Sequence, residues 1–335
     1  MNIGLTFDLK DDYLALGFSE EESAEFDKPD TIEAIEIAIN KAGHTTERIG
    51  NIWDLTKALS QGKTWELVFN IAEGLRGIGR EAQVPALLDA YNIPYTFSDP
   101  LVLSLSLHKG MTKRVLRDLN LATTDFAEIK TIEDIESVNL PFPVFAKPIA
   151  EGTSKGVSLT SIVKNEVELK LECERLINIF HQPVLLETFL PGREFTVGII
   201  GTGSSAKAIG CMEVLLSQNA EQGIYSYNNK ENYEELVKYR IVEDELSAEV
   251  EKLAVAAFKG LGCRDAGRVD IRLDANGIPN IIELNPLAGL HPVRSDLPMI
   301  CNFKGISYQT LIEEILNNAS ERIVKSDLTE IVENK

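Results

Sequence analysis

Apolar and polar residues alternate in two closely spaced runs late in the chain. Val269, Ile271 and Leu273 form one run, Ile278, Ile282 and Leu284 the other, and Asn276-Gly277 lies between them. A period of two marks a half-buried strand, and Asn-Gly is the strongest short-range signal for a two-residue hairpin loop. The pattern predicts a β-hairpin over 268–285 in which Asp270 faces Glu283 and Arg268 faces Asn285. All four polar side chains then share one face, because side chains repeat every second residue along a strand.

The first hundred residues alternate strand and helix signals. Asn2 to Phe7 reads as a strand, and Asp30 to Ala42 as a helix with Ile32, Ile35 and Ile39 on one face, Asp30 as its cap and Gly43 after it. Trp65 to Asn70 reads as a buried strand and Gln83 to Tyr91 as a helix, the pattern of a small doubly wound parallel sheet. Residues 11–28 are acidic and aperiodic and read as a mobile loop. From 101 to 190 the order is helix, strand, loop, strand, helix, strand. A basic helix starts near Leu107, a buried strand over Pro143 to Pro148 delivers Lys147, and two strands around a short turn over 183–200 set Glu187 at the end of one and Glu194 at the start of the next. The Tyr- and Asn-rich stretch 217–240 reads as a lid. Ser247 to Leu261 is an amphipathic helix under the hairpin, Tyr308 to Asn318 a closing helix, and the acidic tail past Ser320 is expected to fray.

Composition narrows the picture. With 335 residues, 44% apolar and 25% charged, the chain is long enough for two or three packed domains. A net charge of -19 argues against nucleic acid or an anionic membrane as the main partner. Cys173, Cys211, Cys263 and Cys301 have no metal-ligand spacing and read as small buried apolar residues in a reducing compartment. The first residues carry no basic and apolar targeting pattern, and no apolar run reaches the roughly 20 residues of a membrane span, so a cytoplasmic protein is expected.

The hairpin face carries the first candidate chemistry. Two carboxylates, an amide oxygen and a guanidinium together suit Mg²⁺, with phosphate and water completing its shell and Arg268 beside the developing charge. Gly152-Thr-Ser-Lys-Gly156 offers successive backbone N–H groups and two hydroxyls to a phosphate chain, although it is not a Walker A loop. Glu187 and Glu194, at strand junctions, suit an adenine amino group or a ribose hydroxyl. The Gly-rich loop 69–83, with Glu73, Arg76 and Arg80, follows a parallel strand where α/β sheets bind ligands, and is a candidate substrate loop.

With these pieces in this order, residues 65–315 resemble the ATP-grasp superfamily and, within it, the D-alanine–D-alanine ligases. The resemblance rests on Phe69-Asn70, Ile93-Pro-Tyr-Thr, Lys109, Ala146-Lys-Pro148, Glu151-Gly-Thr-Ser-Lys-Gly-Val157, Leu186-Glu187, Gly192-Arg-Glu-Phe-Thr-Val197, Arg268-Val-Asp270 and Glu283-Leu-Asn285. It implies an α/β (α+β) ATP-grasp fold in three domains: an N-terminal parallel-sheet domain over 1–100, and two α+β subdomains, 101–188 and 189–320, gripping ATP ahead of a tail over 321–335. It also implies that Lys109, Lys147, Glu151 and, in the lid, Lys230 serve the nucleotide, with Glu187 and Glu194 as adenine and ribose contacts. Thr153 and Ser154 match a catalytic Ser-Ser pair, Arg268 the transition-state arginine, and Asp270, Glu283 and Asn285 the ligands of two Mg²⁺ ions, or Mn²⁺ in their place. The implied reaction joins the carboxylate of one amino-acid-like substrate to the amine of another through an acyl phosphate, releasing ADP and phosphate, and the implied assembly is a homodimer.

The departures lie on the substrate side. The family's Gly-Gly-x-Ser-x-Glu is missing directly after the first strand, its His-Gly is Glu73-Gly74, and its Lys-Tyr in the lid is Lys230-Glu231. Its Pro-Gly-Met-Thr is replaced by Leu287-Ala-Gly-Leu-His, with one extra residue before Ser295. Glu73 is therefore expected to bind a substrate amine, and Arg268, Gly289, Arg294 and Ser295 a carboxylate. The alternative is a kinase or phosphotransferase of the same fold acting on a small carboxylate or hydroxyl.

Overall fold

The computed structural model describes residues 1–333 except Gln222, with side chains described through residue 323 except that of Glu231. The N-terminal part contains β1 (Asn2–Thr6), α1 (Lys10–Ala15), α2 (Pro29–Lys41), β2 (Thr45–Gly50), α3 (Ile52–Ser60), β3 (Leu67–Asn70) and α4 (Gln83–Ala90). Its sheet is parallel in the order β2-β1-β3, and residues 94–96 extend it by pairing with Val68. The strand β2 is partly exposed and polar, so it carries no hydrophobic alternation to announce it. Helix α2 begins at Pro29, with Lys28 in the cap position and no side-chain cap bond. Asp30 is thus inside the first turn rather than the cap, because proline is preorganised for that first helical position.

Residues 11–28 are not a loose loop. Tyr13 and Phe26 are buried with ring centroids 4.1 Å apart, the Tyr13 hydroxyl donates to Asp8, and backbone bonds pin Lys10 to Asp27 and Asp27 to Asp8. Two aromatic anchors in an otherwise acidic stretch suffice to fold it onto the sheet.

The middle part contains α5 (Pro100–Leu107), α6 (Lys109–Asp118), β4 (Phe126–Ile129), β5 (Val144–Pro148), β6 (Ile162–Val163), α7 (Glu166–Phe180) and β7 (Val184–Thr188). Its strands form an antiparallel sheet, β4-β7-β5-β6. The rest contains β8 (Glu194–Ile200), β9 (Lys207–Leu216), α8 (Tyr227–Glu231), α9 (Tyr233–Leu236), β10 (Val237–Val242), α10 (Glu245–Gly260), β11 (Ala266–Leu273), β12 (Pro279–Asn285), α11 (Asp296–Phe303) and α12 (Tyr308–Glu333). A second antiparallel sheet runs β10-β9-β8-β11-β12. The two strands read over 183–200 do not pair with each other: β7 lies in one sheet and β8 in the other, so the turn between them links the sheets. Helix α10, capped by Asp244, buries Val250, Ala254, Ala257 and Phe258 against the second sheet.

The end of the chain returns to its beginning. Leu311, Ile312, Ile315, Leu316 and Ala319 of α12 share one apolar core with Ile3 and Leu5 of β1 and Ile32, Ile35 and Ile39 of α2. Helix α12 continues past Ser320, where fraying is expected, and Arg322 within it pairs with the fully buried Asp265. Residues 334–335 lie outside the described residues. All four cysteines are buried and free. Among the described residues, no helix is long and apolar enough to cross a membrane.

Candidate active site

The hairpin β11–β12 forms with the expected facing pairs, Asp270 opposite Glu283 and Arg268 opposite Asn285, but by a different route. The loop is longer than two residues: the Asp274 N–H bonds the carbonyl of Ile278, and Gly277 takes φ +81°. That is a three-residue connection with glycine in the left-handed position. Ile271 consequently pairs with Ile281, and Ile282 is the extra residue of a bulge that restores the register by Glu283. The apolar assignment changes with it. Ile281 is fully buried in the core, Ile278 is 53% exposed, and Ile282 turns into the cleft between the two antiparallel sheets. The free edge of β12 supplies the reason, because the Ile281 N–H bonds the Ala122 carbonyl while the Thr123 hydroxyl bonds the Ile281 carbonyl.

The walls of that cleft are charged. Glu187 at the end of β7 accepts from Lys113 at 2.5 Å, from Lys147 of β5 at 2.7 Å and from the Thr124 hydroxyl. Burial alone would raise its pKa, but the two lysines hold it down to about 2. One carboxylate cannot balance two ammonium groups. Lys113 is depressed by burial, whereas Lys147 is held up, against burial, by Glu187 and Glu283. Lys113 is legible in the sequence only as part of a basic helix. Lys109, 4% exposed, reaches the Glu151 carbonyl at 2.5 Å and Glu283 at 3.2 Å. Against burial, Lys109 and Lys147 hold Glu283 below the usual carboxylate range; burial raises Asp270, with Arg268 opposing.

Asp270 accepts from Thr196 at 2.9 Å and from the Asn285 amide at 3.0 Å, while Arg268 donates to Asp296 at 2.9 Å. The Arg268 Nε is buried with no partner among the described residues. Among the described residues, no three His, Cys, Asp or Glu side chains are grouped to hold a metal by themselves. Two carboxylates and one amide fit Mg²⁺ when phosphate and water supply the remaining ligands, which is the usual arrangement for that ion.

The loop after β5 is strained. Thr153 and Ser154 both take left-handed angles, φ +51° and +56°, and the Lys155 N–H closes the turn onto the Gly152 carbonyl at 3.0 Å. Such a turn favours Asn and Gly, so a β-branched residue there is strained and needs its surroundings to hold it. One clamp is Glu25. Its carboxylate accepts from the Gly152 N–H and from Arg80 and lies 3.2 Å from Lys155, and a Cβ on residue 152 would meet it at 2.6 Å. Against burial, Arg80 and Lys155 hold Glu25 down to about 2. Glu25 lies in the acidic stretch 11–28 that reads as a mobile loop. Glu151 pairs with Lys155 and accepts from Gln182, so its carboxylate faces this clamp.

The other side of the loop meets residues 217–236. Ser154 Oγ donates to the Tyr225 carbonyl, and Arg272 binds both the Gly223 carbonyl and Glu194. Burial raises Glu194, with Arg272 opposing. Lys230 of α8 lines the cleft and is lowered by burial and by Arg268. The stretch read as a lid is therefore folded onto the 152–156 loop, and its C-terminal part is not loop but β10, at the sheet edge.

A second cavity of about 550 Å³ opens from the cleft and brings together Glu73, Gly289, Arg294 and Ser295. Arg294 is exposed and bonded to Asp30 at 3.1 Å, as is His291. Ser295 Oγ accepts from the His291 N–H, and Gly289 leaves room for that hydroxyl, which would stand 2.9 Å from a Cβ there. Arg76 is exposed, away from this cavity.

Two antiparallel sheets closing on a cleft lined by lysines, with opposed carboxylates on one wall and a phosphate-type loop on the other, define an ATP-grasp protein. The solved D-alanine–D-alanine ligase of Bacillus anthracis complexed with ATP has the same fold, with a TM-score of 0.74 and 23% identity, covering 98% of this chain and 99% of that one. A family model described as D-ala D-ala ligase C-terminus matches residues 115–317. The D-alanine–D-alanine ligase of Bordetella petrii is 33% identical over 253 residues, 73% of this chain and 74% of its own. An uncharacterized protein, y4sG of Sinorhizobium fredii, is 30% identical over 303 residues, 87% of each chain. The chain belongs to the D-alanine–D-alanine ligase family.

Proposed function

We propose that the protein is an ATP- and Mg²⁺-dependent carboxylate–amine ligase that joins two amino-acid-like substrates through an acyl phosphate, with a substrate pocket altered from that of its relatives. The observation that carries this reading is the opposed pair Asp270 and Glu283, facing Lys109, Lys147 and Arg268 in one cleft. A magnesium ion held by Asp270, Glu283 and Asn285, with Mn²⁺ able to replace it, would neutralise phosphate charge and polarise the transferring phosphoryl group. Lys109, Lys147 and Lys230 bind the phosphate chain, and the turn at Thr153-Ser154 cradles it. The ribose is held at Glu194, whose position Arg272 fixes. Glu187 orients Lys147 and Lys113, so its contact with adenine is limited to what remains of its hydrogen-bonding capacity. Arg268 stabilises charge at the reacting carboxylate, and Glu73 takes an ammonium group of a substrate. The 217–236 segment excludes water, which would otherwise hydrolyse the acyl phosphate.

The test is incubation with ATP, Mg²⁺ and pooled D- and L-amino acids, with ADP, AMP and product masses measured together. ADP matched by a new amide supports the ligase, and excess EDTA should abolish ADP formation. Phosphorylated product without an amide would favour the kinase reading. AMP with pyrophosphate would overturn the acyl-phosphate route. Asp270→Asn and Glu283→Gln should each lower kcat by at least about 100-fold, the scale for removing one preorganised electrostatic contact.

A further inference from the structure

The second cavity contains more carboxylates than its own cations occupy. Glu25 is bound by Arg80 and Lys155, Glu283 by Lys109, and Asp296 by Arg268; of the wall's other cations, Arg294 is taken by Asp30, Lys10 by Glu20, Lys28 is exposed, and Lys230 faces Asp296, Asp270 and Glu283. Five carboxyls in the wall remain: Glu234 and Glu235 are exposed, whereas Asp27, Glu73 and Glu81 are partly buried. Asp27 has only the Thr31 hydroxyl as a side-chain partner. Glu73 and Glu81, partly buried and lining the cavity, make no side-chain hydrogen bond or ion pair among the described residues. Burial first, and then neighbouring carboxyls, raises all three, Asp27 to about 7 and Glu81 to about 8. Carboxyls partly withdrawn from water and crowded by one another are costly to ionise until a cation joins them. An organic ammonium fits, because it can donate hydrogen bonds to several of these carboxyls at once and the cavity is open to the nucleotide cleft.

We propose that the amine substrate of this enzyme carries a second ammonium group, as a basic amino acid or a diamine does, and that Glu73, Glu81 and Asp27 bind it. The inference rests on the ligase reading and names the substrate class of the same site. The cavity suits it in shape as well as charge. It joins the nucleotide cleft at Thr153, Tyr225, Lys230, Arg268 and Glu283, so one amine can lie toward the reacting centre while the other reaches the carboxyls. A neutral side chain would leave those carboxyls unpaired, and discrimination against it should be strong for that reason. The groups facing Glu73 and Glu81 are Glu25 and Asp27 from the segment before α2, Arg80 from their own loop, Lys109 from α6 and Glu283 from β12.

The experiment is calorimetric titration of the protein, saturated with Mg²⁺ and a non-hydrolysable ATP analogue, with ornithine and norvaline as both enantiomers and with 1,4-diaminobutane. Ornithine and norvaline differ mainly in the terminal ammonium. Ornithine or the diamine should bind at least about tenfold more tightly than norvaline, and more tightly at pH 8 than at pH 6 as the carboxyls ionise. Glu81→Gln and, independently, Glu73→Gln should erase most of that preference while the analogue still binds, which also reports that each variant is folded. Norvaline binding as well as ornithine, no binding by any of the amines, or an unchanged preference in both variants would overturn the proposal. Failure of the nucleotide analogue to bind would count instead against the ligase reading.

Discussion

Glu187 is a residue whose charge the fold depends on. Its folded pKa lies below its unfolded value, so its contribution is present at neutral pH and lost as pH falls from about 4.5 toward 2. Glu187→Gln leaves Lys113 and Lys147 buried without their counter-charge and should cost roughly 3 kcal/mol or more, measured by urea titration at pH 7. For Asp27 the sign reverses: its pKa is raised to about 7, so ionising it disfavours the fold as pH rises from about 4 to 7. Asp27→Asn should therefore stabilise the protein at pH 8 and leave it nearly unchanged below about pH 4, as the same titration at the two pH values reads directly. Glu25 shows why single residues escape a sequence reading. Nothing local separates it from its acidic neighbours, and only the packing of Tyr13 and Phe26 carries it onto the 152–156 loop. Thr153 and Ser154 are the converse: the loop is legible from its composition, but the left-handed angles that two non-glycine residues hold there are not.

At the scale of elements, the hairpin β11–β12 carries the most weight. Its polar pairing is legible from alternation, yet the loop is longer than Asn-Gly suggests and the bulge at Ile282 makes up the difference. Two departures that cancel leave Glu283 opposite Asp270. Deleting Ile282 should remove the bulge yet leave Glu283 opposite Asp270 in a regular ladder, so ADP formation should persist, and the loss of an apolar side chain from the cleft wall should show as a raised KM for ATP. The strand β2 is hidden from sequence for a different reason, since it is partly exposed on both faces and shows no period. The helix α12 is legible as a helix, but its partner, the N-terminal sheet, is not.

Across the whole molecule, the N-terminal part, the larger antiparallel sheet and α12 meet at Asp265. This fully buried carboxylate accepts from the Phe97 N–H at 2.7 Å and the Thr202 hydroxyl at 3.2 Å, and pairs with Arg322 of α12. Asp265→Ala should destabilise the protein by roughly 3 kcal/mol or more, since it leaves the Arg322 guanidinium and the Phe97 N–H without their acceptor. Arg322→Ala should cost less in combination with it than alone, and a urea-denaturation cycle over the two substitutions measures that coupling.

By itself, the sequence determined the fold class, the order of most elements and several of the charged residues that line the cleft. Those features rest on short-range patterns: the alternating run over Val269 to Leu273, the buried strand that delivers Lys147, and the Gly152-Thr-Ser-Lys-Gly156 loop. The tertiary structure alone decided that Lys113 shares Glu187 with Lys147, that Glu25 clamps the 152–156 loop, and that Asp27, Glu73 and Glu81 meet in one cavity. These residues lie far apart in the chain, and their chemistry comes from burial and from one another's charge, which no local pattern records.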